Sequence, residues 1–332
     1  MPAKLQARYT ERGPVPEAVI EAVPFEVPDL QPGQVLLEVM AAPINPSDVL
    51  TLTGQYGSLP PLPAVGGNEG VGRVIERGPG AEHIAVGQVV LLPIGSGTWA
   101  THLVADAARL IALPDVADYA QLSMLAVNPP TAALLLSDFV QLQPGDWIIQ
   151  NAANSAVGSY VVQLAALRGV RTVNVVRRES AVAGVAALGG DVVLVDGDHL
   201  AARVKAATEG AAIKLAIDAV GGASTRYLAS TLAESGTVVT YGALSGAPSE
   251  LSARDLVFND VTAKGFWLAR WFRTTSPAQQ AQLFAELAGL VAAGKLSVPI
   301  EATYDLSQVK AAVAAAAKGE RGGKILLVPN PS

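Results

Sequence analysis

The chain has 332 residues, half of them apolar and 16% charged, with 23 basic against 29 acidic side chains and a formal net charge of -6. That length suits two domains of ordinary size. With no long uninterrupted apolar run, no basic cluster and no cysteine, the composition excludes a membrane-spanning helix, bulk nucleic-acid binding, disulfides, thiolate metal sites and a cysteine nucleophile.

His83, His102 and His199 are scattered without ligand spacing, and the segment MPAKLQARYTERGPVPEA has acidic residues and no apolar core. It reads as neither a secretory signal nor a transit peptide. The expectation is a cytoplasmic protein without a metal site, a membrane or a nucleic-acid partner.

Up to about Val127 the chain reads as short strands and turns. Gln34–Met40 (QVLLEVM), Gly70–Gly78 (GVGRVIERG) and Gly87–Gly95 (GQVVLLPIG) are bounded by Gly or Pro, as strands between tight turns are. No long helical period precedes Asp115. From Pro144 onward, strands alternate with helices. The candidate strands are Asp146–Ala152, Arg171–Arg177, Asp191–Asp196, Lys214–Val220, Gly236–Gly242 and Ala263–Leu268. Most are near-continuous apolar runs, as parallel strands buried on both faces require. After the first strand, Val157, Val161, Leu164, Ala165 and Arg168 form a helical stripe that Gly169 ends. Six strands with crossovers predict an α/β fold with a doubly wound parallel sheet. A last helix (Ala278–Ala293), a polar turn and a strand (Lys324–Val328) are assigned back to the first domain. Residues 1–126 and 270–332 thus form a discontinuous β-rich domain, and 127–269 the doubly wound one.

A doubly wound sheet binds ligands beyond the carboxyl ends of its strands, with phosphate at the N-terminus of the first helix. Here that turn runs Asn151-Ala152-Ala153-Asn154-Ser155-Ala156-Val157-Gly158. Of the G-x-G-x-x-G pattern only the last position, Gly158, is present. The small residues still permit close backbone approach, and Asn154 or Ser155 can cap the helix. On the turn alone, a nucleotide site and a ligand-free tight turn both stay open. Roughly 20 residues on, NAD sites carry an acid for the ribose hydroxyl; this chain has Arg177 and Arg178, followed by Glu179. Two guanidinium groups suit a 2′-phosphate, although adjacent arginines also occur in plain solvated turns. Their register with the turn favours NADP(H).

The segments Ile44–Gly57 (INPSDVLTLTGQYG), Leu62–Gly72 (LPAVGGNEGVG), Asn128–Leu136 (NPPTAALLL), Phe139–Gly158, Asn174–Ser180 and Lys264–Leu268 (KGFWL) resemble the medium-chain dehydrogenase/reductase superfamily. Within it they are most similar to the 2-enoyl thioester reductases of the mitochondrial enoyl-ACP reductase type. The resemblance implies a Rossmann NADP(H)-binding domain with a discontinuous GroES-like catalytic domain. Zinc-dependent members carry Cys-His where this chain has Asn45-Pro46, and His where it has Asn68 before Glu69. The resemblance therefore implies an enzyme with no metal and no alcohol dehydrogenation.

The implied activity is NADPH-dependent reduction of the α,β double bond of a trans-2-enoyl thioester of CoA or acyl-carrier protein. Hydride goes to the β-carbon and a proton to the α-carbon. The family's proton donor matches Tyr56, in Gly54-Gln55-Tyr56-Gly57; a phenol is protonated at neutral pH and can donate to a carbanion-like centre. Read without the family, a loop tyrosine beside glycine is a packing residue.

The remaining family contacts are with the cofactor. Asn128 matches a nicotinamide-side asparagine, although Asn-Pro-Pro is otherwise a turn signal. Asn154, Ser155, Ala156 and Val157 match the pyrophosphate turn, with Ala156 where the family commonly has Gly. Tyr241, Gly242, Ala243 and Leu244 match the loop under the nicotinamide ribose, or read alone form a strand end with a glycine turn. Phe266, Trp267 and Leu268 match a segment lining cofactor and acyl pocket, or read alone an aromatic buried strand. Lys324 matches a late cofactor-contacting lysine that would otherwise be solvated surface. The resemblance also implies a homodimer through the edge strand of the Rossmann sheet, placed at KGFWL. Two alternatives stand beside this reading: an NADPH:quinone or alkenal reductase, and a non-catalytic NADPH-binding protein.

Overall fold

The computed structural model describes residues 3–115, 118–319 and 321–330. The chain divides into two compact units, Met1–Val127 with Ala278–Ser332, and Asn128–Pro277.

In the first unit the organising strand is Gln34–Pro43, whose branched and small residues are almost all buried. It pairs antiparallel with Val71–Arg77 and with His102–Asp106. Its far end pairs with Lys324–Leu327, Leu326 opposite Pro43 and Leu327 opposite Ala42. That pairing makes the unit discontinuous, because the last strand completes a sheet begun near the N-terminus. Ile300–Tyr304 runs parallel to Lys324–Leu327. Parallel neighbours need a crossover, and the helix Val309–Ala317 supplies it, burying Val309, Ala312, Val313 and Ala316 on one stripe. The sequence reading has only a polar turn before the last strand, because a run of alanines gives little hydrophobic contrast between helix faces. Apolar residues from both ends of the chain, among them Tyr9, Leu37, Ile44, Leu52, Trp99, Val313 and Leu327, form one core.

The second unit holds a sheet of six parallel strands. Their spatial order is Val192–Val195, Arg171–Val176, Trp147–Gln150, Ile213–Asp218, Thr237–Thr240 and Thr262–Gly265. Numbered by sequence this is 3-2-1-4-5-6, the doubly wound order whose direction of winding reverses between the first and fourth strands. The helix Ala156–Leu167 follows the first strand, with Arg168 at its C-cap and Gly169 in the left-handed region just beyond, as its stripe predicts.

Three expectations are corrected here. The last strand ends at Gly265, not Leu268, and the helix Leu268–Thr274 follows it; Phe266 still donates to Thr240 O at 2.9 Å, but Trp267 is already the N-cap. That helix lies in the second unit, whereas the sequence reading gives residues from 270 on to the first. Asn128-Pro129-Pro130 is the start of a buried helix, Asn128–Leu135, and not a turn. Proline is well tolerated in a first helical turn, where backbone N–H groups have no intrahelical acceptor.

Candidate active site

In the first unit Tyr56 follows the helix Pro46–Thr53. Gly54 ends that helix at φ 79°, a conformation that a side chain resists. The reversal lets Gln55 N and Tyr56 N both donate to Leu50 O, at 2.8 and 3.1 Å. Tyr56 is thereby fixed close to the helix end. Its half-buried ring lines a cavity of about 250 Å³, whose wall also includes Tyr9, Asp48, Leu59, Asn68 and Trp99.

Beside this cavity lies a polar cluster, in which the sequence reading treats Asn45 and Asn68 only as replacements for zinc ligands and Lys324 as a cofactor contact. Asn45 N donates to Asp48 Oδ2 at 2.7 Å, which holds the first turn of the helix. Asn68 Nδ2 donates to Asp48 Oδ1 at 2.7 Å, and Asn45 Nδ2 to Glu69 Oε1 at 2.7 Å. Val127 N donates to the other Glu69 oxygen at 2.9 Å. Lys324 Nζ donates to Asn45 Oδ1 at 2.5 Å and Ile44 O at 3.3 Å. The two amides thus join the chain's own acids and a buried ammonium group. Lys324 is only 7% exposed, unlike the solvated surface that an isolated lysine would suggest.

The electrostatics follow from burial. Loss of water pushes the Asp48 carboxyl up to about 6, against the opposing pull of the Asn45 N–H and the Lys324 charge. Burial also raises Glu69 and lowers Lys324, each opposed by the charge of the other. Among the described residues no group of three or more His, Cys, Asp or Glu is gathered as for a metal ion.

In the second unit the turn from Asn151 to Gly158 sits beyond the carboxyl end of the first strand. Ser155 is the N-cap, its hydroxyl accepting from Gly158 N at 3.1 Å, while Asn154 is exposed. A Cβ on Gly158 would lie 2.6 Å from Ala153 O and 2.7 Å from Ala152 O, so this position requires glycine. The small, half-buried Ala156 and Val157 open the helix. Arg177 is exposed and Arg178 half-buried, just past the end of the second strand. A helix N-terminus free of bulky side chains, with guanidinium groups at the next strand end, could hold a dinucleotide phosphate.

Tyr241 follows the fifth strand, and its phenol meets the Ser155 hydroxyl; burial raises it, opposed by that hydrogen bond. Gly242 is closely packed on Ala219, while Ala243 and Leu244 are exposed, Leu244 N donating to Ala219 O at 3.1 Å. Phe266 meets Phe139 edge-on at 6.0 Å, and Trp267 lies under the Arg273 guanidinium at 4.7 Å. The half-buried Leu268 begins the next helix. Asn128 is buried at the start of its own helix.

The sequence reading misses the hub of this end of the sheet. Fully buried Asp218 closes the fourth strand and accepts from Asn151 Nδ2 at 2.7 Å, Thr225 Oγ1 at 2.6 Å, Thr240 Oγ1 at 3.1 Å and two backbone N–H groups. Asn151 Oδ1 in turn accepts from Ala219 N at 2.8 Å. The network fastens the first strand to the fourth where the winding reverses. The available signal was a polar residue ending each of two apolar runs, WIIQN and KLAID.

Residues 31–115 match the family described as the alcohol dehydrogenase GroES-like domain, and residues 156–288 that described as zinc-binding dehydrogenase. The mitochondrial enoyl-[acyl-carrier-protein] reductase of Homo sapiens is 37% identical over 323 residues, covering 96% of this chain and 87% of its own. A solved complex of Etr1p with NADP and crotonyl-CoA superposes with a TM-score of 0.89 at 28% identity, covering 99% of this chain and all of the other. The mitochondrial 2-enoyl thioester reductase Etr1p/Etr2p heterodimer from Candida tropicalis gives 0.88 at 28% identity, again over 99% and 100%. The Homo sapiens and Candida tropicalis relatives are mitochondrial by name, which overturns the expectation of a cytoplasmic protein. With a curated relative at this identity along nearly its whole length, the chain belongs to the medium-chain dehydrogenase/reductase superfamily, and within it to the 2-enoyl thioester reductases of the mitochondrial enoyl-ACP reductase type.

Proposed function

We propose that this protein catalyses NADPH-dependent reduction of a trans-2-enoyl thioester carried by CoA or acyl-carrier protein. The observation that carries the reading is Tyr56, held at a helix end where its N–H and that of Gln55 both donate to Leu50 O, and lining a cavity, in a chain 37% identical to an enoyl-ACP reductase. NADPH, when bound, supplies the hydride that adds to the β-carbon. Electrons of the double bond then move toward the thioester oxygen. Tyr56 gives its phenolic proton to the α-carbon and is reprotonated from water, so the net reaction consumes one NADPH and one proton per double bond. Ser155 and the backbone N–H groups of the Ala156–Leu167 helix hold the pyrophosphate, and Arg177 and Arg178 hold the 2′-phosphate. Asn128, Asn154, Ala156, Val157, the Tyr241-Gly242-Ala243-Leu244 loop, Phe266, Trp267, Leu268 and Lys324 complete the proposed cofactor set. For Lys324, its bond to Asn45 supports a second role, neutralising Glu69 and Asp48.

The proposed assembly is a homodimer. All four residues of the edge strand Thr262–Gly265 are exposed, and Val257 and Phe258 just before it are 70% and 79% exposed. An unpaired edge beside exposed apolar side chains favours pairing with a second chain.

The test is oxidation of NADPH by the purified protein with crotonyl-CoA, a longer trans-2-enoyl-CoA and a quinone in parallel, and NADH as control. Saturable turnover of the enoyl thioesters with NADPH preferred is the expected result. Turnover of the quinone alone would assign a different acceptor, and NADPH binding without turnover would assign a non-catalytic role.

A further inference from the structure

Arg12 lies just after the strand Leu5–Tyr9, in a segment that the mechanism above does not use. Its Nη2 donates to the carbonyl of Pro60. Its guanidinium also lies close enough to the Tyr9 hydroxyl to oppose the effect of burial on that phenol, and Tyr9 lines the same cavity as Tyr56. The aliphatic stem covers the helix end: a Cβ added to Gly54 would meet Arg12 Cδ at 3.4 Å and Cβ at 3.7 Å. The next residue is also tied to that helix, Gly13 N donating to Leu52 O at 3.2 Å. Arg12 therefore touches the Tyr56 loop on both sides of the tyrosine, at Gly54 and at Pro60.

We propose that Arg12 is a positioning residue for Tyr56, closing the Gly54–Pro60 loop against Tyr9 and so fixing where the Tyr56 hydroxyl stands in the cavity. The inference rests on the reading of Tyr56 as proton donor. Its physical basis is that the helix end holds only the first half of the loop, through Gln55 and Tyr56, whereas Ser58, Leu59 and Pro60 are exposed. A planar guanidinium can serve a carbonyl and a phenol at once while its stem packs on Gly54. A lysine ammonium lacks that fixed fork. Proton transfer in turn depends steeply on donor placement, a shift of about 1 Å costing up to about 100-fold in rate.

The experiment compares wild type, Arg12→Ala, Arg12→Lys, Tyr9→Phe, Tyr56→Phe and the double variant Arg12→Ala/Tyr56→Phe, using NADPH and crotonyl-CoA in deuterium oxide. The readouts are kcat, the KM for NADPH, and the facial purity of deuterium at the product α-carbon. Arg12→Ala is expected to lower kcat by about 10- to 100-fold with the NADPH KM held within about twofold. Water then competes with the displaced phenol, so facial purity falls. In the Tyr56→Phe background the same change should add little further loss, because the two residues act as one unit. Tyr9→Phe and Arg12→Lys should show a smaller form of the same defect, and they carry the test if Arg12→Ala does not fold. A loss of rate with undiminished facial purity, or losses that multiply in the double variant, would overturn the positioning role. Unimpaired Tyr56→Phe would overturn both this inference and the proposed function, whereas impaired Tyr56→Phe beside unimpaired Arg12→Ala would overturn the inference alone.

Discussion

Asp48 accepts the side-chain amide of Asn68 at 2.7 Å, and the pair forms part of the wall that Tyr56 shares. Burial raises Asp48 to about 6 from its ordinary 3.8. Between those values the native state binds more protons than the unfolded chain. The contribution of this group to stability is therefore fully present below pH 3.8 and is lost as pH rises through 6, by up to about 3 kcal/mol. Denaturant unfolding of wild type and Asp48→Asn between pH 4 and 7.5 checks this. Wild-type stability relative to the variant should fall as pH rises, and a difference independent of pH would contradict it.

Gly158→Ala places a methyl group within 2.7 Å of two backbone carbonyl oxygens of its own turn. Backbone cannot rotate aside as a side chain can, so the turn must shift. The expected cost is about 1–3 kcal/mol of stability, with weaker NADPH binding. Thermal unfolding and a fluorescence titration with NADPH measure the two effects, and an unchanged titration would remove this turn from the cofactor site.

Arg177→Ala with Arg178→Ala removes two guanidinium groups from the end of the second strand. Charge-assisted hydrogen bonds are worth about 1.5–3 kcal/mol each. NADPH affinity should accordingly fall by at least about 10-fold, while NADH affinity changes little. Parallel titrations with both cofactors decide it, equal losses meaning that the arginines do not read the 2′-phosphate.

Phe258→Asp puts a charge on an exposed apolar side chain close to the edge strand Thr262–Gly265. If that edge joins two copies, the variant should sediment as a lighter species than wild type at the same concentration, with its kcat per chain as a control. Identical sedimentation would place any self-association elsewhere.

Much of the second unit was legible because parallel strands buried on both faces leave near-continuous apolar runs, as in Ile213–Asp218. The first five strands fall on such runs, whereas the edge strand Thr262–Gly265 is exposed and only overlaps its candidate segment. The first unit was harder to read. Val309–Ala317 is built largely of alanine, so its buried stripe is almost invisible in hydrophobicity. Motifs give the identity of the loop and turn residues but not their partners. Nothing local to Lys324 tells that its ammonium reaches Asn45, because the bond joins opposite ends of the sequence through the pairing of Leu326 with Pro43. Asp218 escapes a reading of the sequence for a related reason. A carboxylate at a strand end looks solvated until the hydroxyls of Thr225 and Thr240 are brought to it.

The most direct test of Tyr56 as the proton donor is the single substitution Tyr56→Phe, assayed for NADPH oxidation with crotonyl-CoA beside a direct measurement of NADPH binding. The phenyl ring keeps the packing of the ring and loses the hydroxyl that carries the proton. The expected result is a fall in kcat of about 100-fold or more with NADPH affinity within about twofold of wild type. Turnover at the wild-type rate would show that the α-carbon receives its proton from another group and would contradict the assignment of Tyr56.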